Sequence, residues 1–315
     1  MRAAELDPEL ATVIEELEAL GLPEWHSLSV AAARRVENET FSGDPEPSVE
    51  SVRDFAFDGP HGAVPVRVYR PAAAVEAESA AARTLVYFHG GGWTLGTLDS
   101  VDGICRELAT RADAVVISVA YRLAPEHPFP TAVDEAVAAV EWAADVAGRF
   151  GGDPGRLGVT GTSAGGTLAL AAGLYGREFG GPSVAGQFLL YPIAGHEFDT
   201  ESYRENADGP LLTRADMEWF YDRYLSSPVD AHNPFAVPLR ADDLGGLPPA
   251  TVVTAGFDPL RDDGLALVER LRTEGTPVEG RHYPAMAHGF CSLADRVTVA
   301  EEALSAVAGD VRARL

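Results

Sequence analysis

The sequence predicts an α/β fold: a mostly parallel, eight-stranded, doubly wound sheet with helices on both faces. Three observations carry that prediction. Short apolar runs alternate with helical periodicity along most of the chain. The runs after residue 80 are short and apolar throughout, as strands buried on both faces should be. The chain has 315 residues and is 46% hydrophobic, a size at which roughly 75% of the extended surface can be buried.

The elements follow in order. Residues 1–45 read as a helical segment. Leu6, Leu10, Val13, Ile14, Leu17 and Leu20 recur at helical spacing, Asp7-Pro8 reads as N-cap and N1 proline, and Gly21 as the residue after the helix. A second helix is expected over 29–38, and 43–47 reads as a linker into a domain covering 46–315. Strands 52–57 and 64–69 alternate apolar and polar, as an antiparallel pair turning at 59–62. Six further strands are expected at 85–88, 115–119, 157–160, 187–190, 251–255 and 278–283. Helices are expected at 99–111, 131–149, 164–176, 259–274 and 295–314. Between the sixth and seventh strands, residues 196–228 break the rhythm. This aromatic-rich insertion suits a lid over a site, although any one of its aromatics is expected to pack on the core.

Composition excludes several functions. All 24 basic residues are arginine. Without lysine there is no Walker A lysine, no Schiff base and no Ser-x-x-Lys acylation site. A net charge of −24 repels nucleic acid and anionic membranes alike. Such a charge destabilises a compact chain by self-repulsion, and molar salt screens it. A GC-rich genome explains missing lysine but not 48 acids, so adaptation to high salt is the better expectation. Residues 157–176 carry no charge over 20 residues, the length of a membrane span. Six of them are glycine, so a buried strand, turn and helix is expected instead. Cys105 and Cys291 read as small buried hydrophobes. The acidic N-terminus shows no signal peptide, and the expected location is cytoplasmic.

Four motifs carry chemistry. GTSAG at 161–165 is Gly-x-Ser-x-Gly between a strand and a helix, where a strained turn projects a serine hydroxyl from the sheet edge. Alone, Ser163 could equally be an N-cap. HGGGW at 89–93 follows a strand. Its glycines let backbone N–H groups crowd an oxyanion, and a phosphate cradle would want a basic partner that is absent until Arg106. Asp258 ends one strand and, taken alone, reads as an N-cap before Pro259. His288 follows another. The chain order Ser163, Asp258, His288 is Ser…acid…His, each at a strand's carboxyl end. Asp262 and Asp263 are rival acids but fall inside the next helix.

With YRLAPEHPFP at 121–130, YP at 191–192, DPLRDDG at 258–264 and HGF at 288–290, these residues resemble the hormone-sensitive-lipase-like branch of α/β-hydrolase esterases, from about residue 50 to the end. The resemblance implies an α/β-hydrolase fold and a carboxylic-ester hydrolase. It makes Ser163 the nucleophile, Asp258 the acid and His288 the base, with an oxyanion hole from Gly91, Gly92 and Ala164. Which glycines donate is left open by the sequence. The N-terminal helices and the insertion fall where that family keeps its cap, and Trp93, Trp219 and Phe220 are candidate pocket residues. Thr162 departs from the family, many members of which carry aspartate there. YRLAPEHPFP supplies no triad member and is expected to be a buried structural turn. No cofactor and no metal are expected: the histidines show no HExxH and the cysteines no paired CxxC. The expected partner is a small-molecule ester, with a homodimer left open. Rival readings are a lactonase or amidase on the same scaffold, a receptor that has lost the catalytic histidine, and an interfacial lipase. The charged 199–223 segment, with seven acids and three arginines, favours short to medium acyl chains over oil–water interfaces.

Overall fold

In the computed structural model, which describes residues 1–43, 46–71 and 81–315, eight strands form one sheet. They are β1 (Ser51–Gly59), β2 (Gly62–Arg70), β3 (Ala82–Phe88), β4 (Ala114–Val119), β5 (Gly152–Thr162), β6 (Gly186–Leu190), β7 (Ala250–Phe257) and β8 (Val278–Ala287). Their spatial order is β1-β2-β4-β3-β5-β6-β7-β8. β1 and β2 pair antiparallel through the turn between Gly59 and Gly62, and β2 pairs antiparallel with β4. From β4 to β8 every pairing is parallel. The expected linker at 43–47 includes residues 44 and 45, which lie outside the described residues.

The two faces of the sheet carry separate cores. Along β3, Val86 and Phe88 point to one face while Leu85 and Tyr87 point to the other, the period of two that a strand imposes. Helices α4 (Thr131–Val146), α5 (Ala164–Phe179) and α8 (Arg261–Thr273) cover the first face; α1 (Pro8–Ala19), α3 (Asp102–Ala112) and α9 (Thr298–Arg314) cover the second. Asp7 caps α1, accepting from the amides of Glu9 and Leu10 at 2.9 and 3.2 Å. Helix α2 (Val30–Phe41) is capped by Ser29 and runs three residues past the expected end, because neither glycine nor proline stops it before Gly43.

The charge-free run 157–176 divides into the end of β5, a turn at Ser163 and α5. Among the described residues no helix is long and apolar enough to cross a membrane. Both cysteines are free and buried. The 121–130 stretch corrects an expectation. Tyr121, Ala124 and Phe129 are buried, but Pro125, Glu126 and His127 are exposed. Its buried end braces the glycine loop, since the Tyr121 hydroxyl donates to the carbonyl of His89 at 2.8 Å.

Between β6 and β7 the chain forms α6 (Glu201–Glu205) and α7 (Arg214–Tyr224). This insertion meets the N-terminal segment above the carboxyl edge of the sheet, where the His26 amide donates to Asp216 Oδ1 at 2.9 Å. Arg34 of α2 also reaches the sheet domain, donating to the carbonyls of Thr94 and Ala124 at 2.9 and 2.8 Å.

Candidate active site

Four neighbouring strands, β5 to β8, each deliver one residue to the same edge: Ser163, Tyr191, Asp258 and His288. Ser163 stands between β5 and α5 with φ 53° and ψ −120°, a conformation that costs a non-glycine residue about 1–3 kcal/mol. The surrounding glycines make the turn feasible. A Cβ on Gly161 would come within 2.7 Å of the Phe88 carbonyl oxygen. Backbone closes on backbone here, so only glycine fits. Ser163 occupies the N-cap position of α5, yet its hydroxyl caps nothing. That removes the capping alternative and frees Oγ.

The freed hydroxyl meets an imidazole. His288 Nε2 lies 3.0 Å from Ser163 Oγ, and His288 Nδ1 lies 2.9 Å from Asp258 Oδ2. An ionised carboxylate only accepts, so Nδ1–H donates to Asp258 and Nε2 is left to accept from serine. Asp258 and His288 are both well covered, at 1% and 11% side-chain exposure. Asp258 is not the helix N-cap that its proline neighbour suggests. Helix α8 begins at Arg261, after Leu260, and Asp258 Oδ1 instead accepts the Leu260 amide at 2.8 Å. One oxygen thus fixes the turn and the other fixes the ring. Tyr191, at φ 40°, sets its ring edge-on to His288 with centroids 4.9 Å apart.

The rival acids sit one turn further on and face elsewhere. Asp262 accepts the Ser202 amide at 2.7 Å and Asp263 accepts the Gly195 amide at 3.2 Å. Burial pushes the Asp263 carboxyl up to about 7.

The glycine loop lies beside the serine because β3 and β5 are neighbours in the sheet. A Cβ on Gly90 would touch Ser163 Cβ at 3.4 Å. Gly91 and Gly92 adopt φ 97° and 55°, a region natural to glycine. The Thr94 and Leu95 amides turn back onto the Gly91 carbonyl at 3.0 and 2.8 Å. Among the described residues the Gly91 and Gly92 amides donate to no acceptor. Ala164 opens α5, so its amide has no partner one turn back. His89 is buried, stacked on Tyr121 at 4.2 Å, and donates from Nδ1 to the Gly90 carbonyl at 2.8 Å. Burial lowers its pKa to about 4, so it is a neutral support for the loop. Ser163, His288 and these glycines open into one cavity of about 720 Å³.

The model of the α/β hydrolase fold family matches residues 85–292. The chain belongs to that family. Its relatives place it in the hormone-sensitive-lipase-like carboxylesterase branch. Esterase LipI of Mycobacterium tuberculosis is 44% identical over 254 residues, covering 80% of this chain and 78% of that protein. Ethyl acetate hydrolase of Pseudomonas putida is 35% identical over 310 residues, covering 95% and 96%. Among solved structures, the ester hydrolase EH1AB1 from the metagenome of Lake Arreo superposes with a TM-score of 0.91 at 37% identity, covering 98% of each chain.

In this α/β hydrolase the cavity roof comes from both peripheral segments. From the N-terminal one, Ile14, Leu17, Trp25 and Phe41 line it; from the insertion, Leu211, Met217 and Phe220 do. Of the three pocket aromatics expected from sequence, only Phe220 lines the cavity. Trp93 is fully buried and stacks on Tyr224 at 3.9 Å. Trp219 lies under the Arg223 guanidinium at 3.8 Å. The helix explains this: Thr213, Asp216, Met217 and Phe220 recur at i, i+3, i+4 and i+7 and share one face, which is the cavity face. The spacing can be read from the sequence, but Trp219, Tyr221 and Tyr224 make other faces of the helix apolar too, so it does not mark which face meets the cavity. Glu37, Tyr191 and Thr162 also line the cavity, and none of them was expected there. Thr162 Oγ1 lies 3.1 Å from the Tyr87 hydroxyl, so this side chain is anchored. Among the described residues no group of three or more His, Cys, Asp or Glu side chains could hold a metal ion.

Proposed function

We propose that this chain hydrolyses short- to medium-chain carboxylic esters through Ser163, His288 and Asp258, by way of an acyl-enzyme. Carboxylesterase chemistry follows from the family and from relatives named as esterases. The single observation that carries the residue assignment is the unbroken chain Asp258–His288–Ser163, with contacts of 2.9 and 3.0 Å, ending at a serine that caps no helix.

His288 Nε2 takes the Ser163 proton as Oγ attacks the ester carbonyl carbon. Asp258 holds the ring in the tautomer that leaves Nε2 free and stabilises the imidazolium. The amides of Gly91, Gly92 and Ala164 receive the charge that develops on the carbonyl oxygen, each donor being worth about 3–4 kcal/mol in the transition state. The imidazolium protonates the departing alcohol. His288 then deprotonates a water that attacks the acyl-enzyme, returning Ser163 and releasing the acid. The N-terminal helices and the insertion act as the cap that closes the cavity over the ester. The acidic surface speaks for a small soluble ester rather than a nucleic acid or a lipid interface.

Ser163→Ala tests the reading. Esterase kcat should fall by about 10⁶, as for other triads, while the fold is kept. Substantial hydrolysis by that variant would overturn the assignment. A series of p-nitrophenyl esters of increasing acyl length tests the chain-length half, with kcat/KM expected to peak at short to medium acyl groups.

A further inference from the structure

Among the described residues, five that are not glycine hold a positive φ: Trp93, Asp113, Ser163, Tyr191 and Leu211. Asp113 closes α3, at a position where aspartate tolerates that conformation. Trp93 ends the glycine loop, Ser163 is the serine of the strained turn, and Tyr191 sets its ring against His288. Leu211, at φ 68°, lies outside that machinery, in the insertion. A left-handed leucine is strained, because its Cβ crowds the following carbonyl. Such strain persists only where the surroundings enforce it, and it gathers at functional sites.

Here the surroundings do enforce it. The loop 207–213 joins α6 to α7 and is tied at both ends. The Arg214 amide donates to the Ala207 carbonyl at 2.9 Å, and the Gly209 amide to the Asn206 carbonyl at 3.1 Å. Asn206 is buried, and its Nδ2 donates to the carbonyls of Ser202 and Asp258 at 3.0 and 3.3 Å. At the far end, the Thr213 hydroxyl and amide donate to Asp216 at 2.8 and 3.1 Å. The loop is thus anchored at the end of β7, beside β8. Leu211 and Leu212 turn to different cores: Leu212 belongs to the first-face cluster, while Leu211 packs against the second. Leu211 is half-buried and lines the cavity.

Position along the sheet edge says which part of an ester Leu211 meets. The glycine loop follows β3, on one side of Ser163, and His288 follows β8, on the other. The ester's carbonyl oxygen goes to the loop. Its alcohol oxygen must come within reach of His288 Nε2, which protonates it on departure. The alcohol group therefore lies on the β8 side. Leu293, after β8, lines the cavity there, as do Leu6 and Leu17 of the N-terminal segment, which is tied to β8 by the Asp7 amide on the Ala285 carbonyl at 3.0 Å. All three pack against the same core as Leu211. Phe220, by contrast, packs over Gly92 of the glycine loop.

We propose that Leu211 is a specificity-determining residue: its enforced backbone holds the side chain at the leaving-alcohol end of the cavity and limits the bulk of the alcohol that fits. The inference rests on the ester-hydrolase reading of the same cavity. It assigns this chain esters of slender apolar alcohols, whatever the acyl group.

The test measures kcat/KM with the full-length enzyme on two matched series. In one, acetic acid is esterified with ethanol, cyclohexylmethanol or 1-adamantylmethanol, all primary alcohols. In the other, ethanol is esterified with acetic, cyclohexylacetic or 1-adamantylacetic acid. In the wild type the adamantylmethyl acetate should fall about tenfold or more below ethyl acetate. Leu211→Ala and Leu211→Gly should each raise that ratio by about tenfold, with the matching acyl ratio changed by less than about twofold. Leu211→Phe should lower it. Each ratio is internal to one enzyme preparation, so loss of folded protein does not mimic the effect. Leu211→Gly should also melt about 2 °C above Leu211→Ala, because only glycine is at ease at this φ. An alcohol ratio unchanged in both small variants, or an acyl ratio that moves as far, overturns this inference alone, as does Leu211→Gly melting below Leu211→Ala. No hydrolysis of any ester overturns the ester reading and this inference with it.

Discussion

Gly165 and Phe88 approach so closely that a Cβ on Gly165 would overlap the Phe88 carbonyl oxygen. This contact locks the first turn of α5 against the end of β3, and so locks Ser163 beside the glycine loop. Gly165→Ala should therefore force the two apart. We expect kcat to fall by about 10²-fold or more, the effect of a displacement near 1 Å. Urea unfolding should show a loss of about 1–3 kcal/mol, as overpacking does. Gly176, in the same helix, has nothing within 4 Å of its Cβ position. Gly176→Ala should leave kcat unchanged and raise stability by about 0.5–1 kcal/mol.

Asp263 gives a pH dependence with a definite sign. Its folded pKa, about 7, lies above the ordinary carboxyl value because of burial, against the help of the Gly195 amide. The folded chain thus holds a proton that the unfolded chain loses near pH 4. This contribution is full below about pH 4 and is lost as pH rises to about 7. Asp263→Asn, which stays neutral and still accepts, should raise Tm at pH 8 by at least about 3 °C and change it little at pH 4. Equal shifts at both pH values would show that the effect is not titration.

Phe220 and Trp219 are neighbours in sequence with opposite orientations. A Cβ on Gly92 would overlap the Phe220 ring, so this ring is packed on the glycine loop and faces the cavity. Phe220→Ala should shift kcat/KM toward longer or bulkier acyl groups and lower kcat about tenfold through a loosened loop. Trp219→Ala should cost about 3–5 kcal/mol of stability with the ratio between acyl lengths unchanged. An acyl-length panel on both variants, with denaturant titration, checks the pair.

Net charge sets the response to salt. Several arginines are already paired with carboxylates: Arg67 alone meets Asp54, Asp99 and Asp102 at 2.7, 2.8 and 3.2 Å. Yet 48 acids face 24 arginines, and the surplus repels itself. Screening between about 0.1 and 1 M salt weakens ion pairs and repulsion together, and with this surplus the repulsion dominates. Tm should rise by about 5 °C or more over that range, with kcat/KM for a neutral ester maintained. A flat or falling Tm would remove the high-salt reading and leave the esterase reading intact.

Much of the site was legible because its parts are local. Ser163, Asp258 and His288 each sit at the end of a strand whose apolar run can be read directly, and their order along the chain fixes which strand supplies which group. The glycines of 89–92 and 161–165 announce backbone approaches that no side chain permits. Asp258 shows the limit of local reading. Asp-Pro before a helix looks like a cap, and only the return of β8 alongside β7 brings a histidine to its other oxygen.

The sequence by itself determined the strand–helix alternation, the strained serine turn, the aspartate and histidine at the ends of later strands and the surplus of negative charge, because each depends on residues near one another in the chain or on simple counting. Tertiary structure decided which faces of α2 and α7 look into the cavity. It made Phe220 a wall, buried Trp93 and Trp219, and brought Glu37 to the lining of the cavity that the serine opens into. The reason is geometric. A helix apolar on more than one face carries no mark of which side will meet the ligand, and the choice falls to the packing of two segments far apart in the chain.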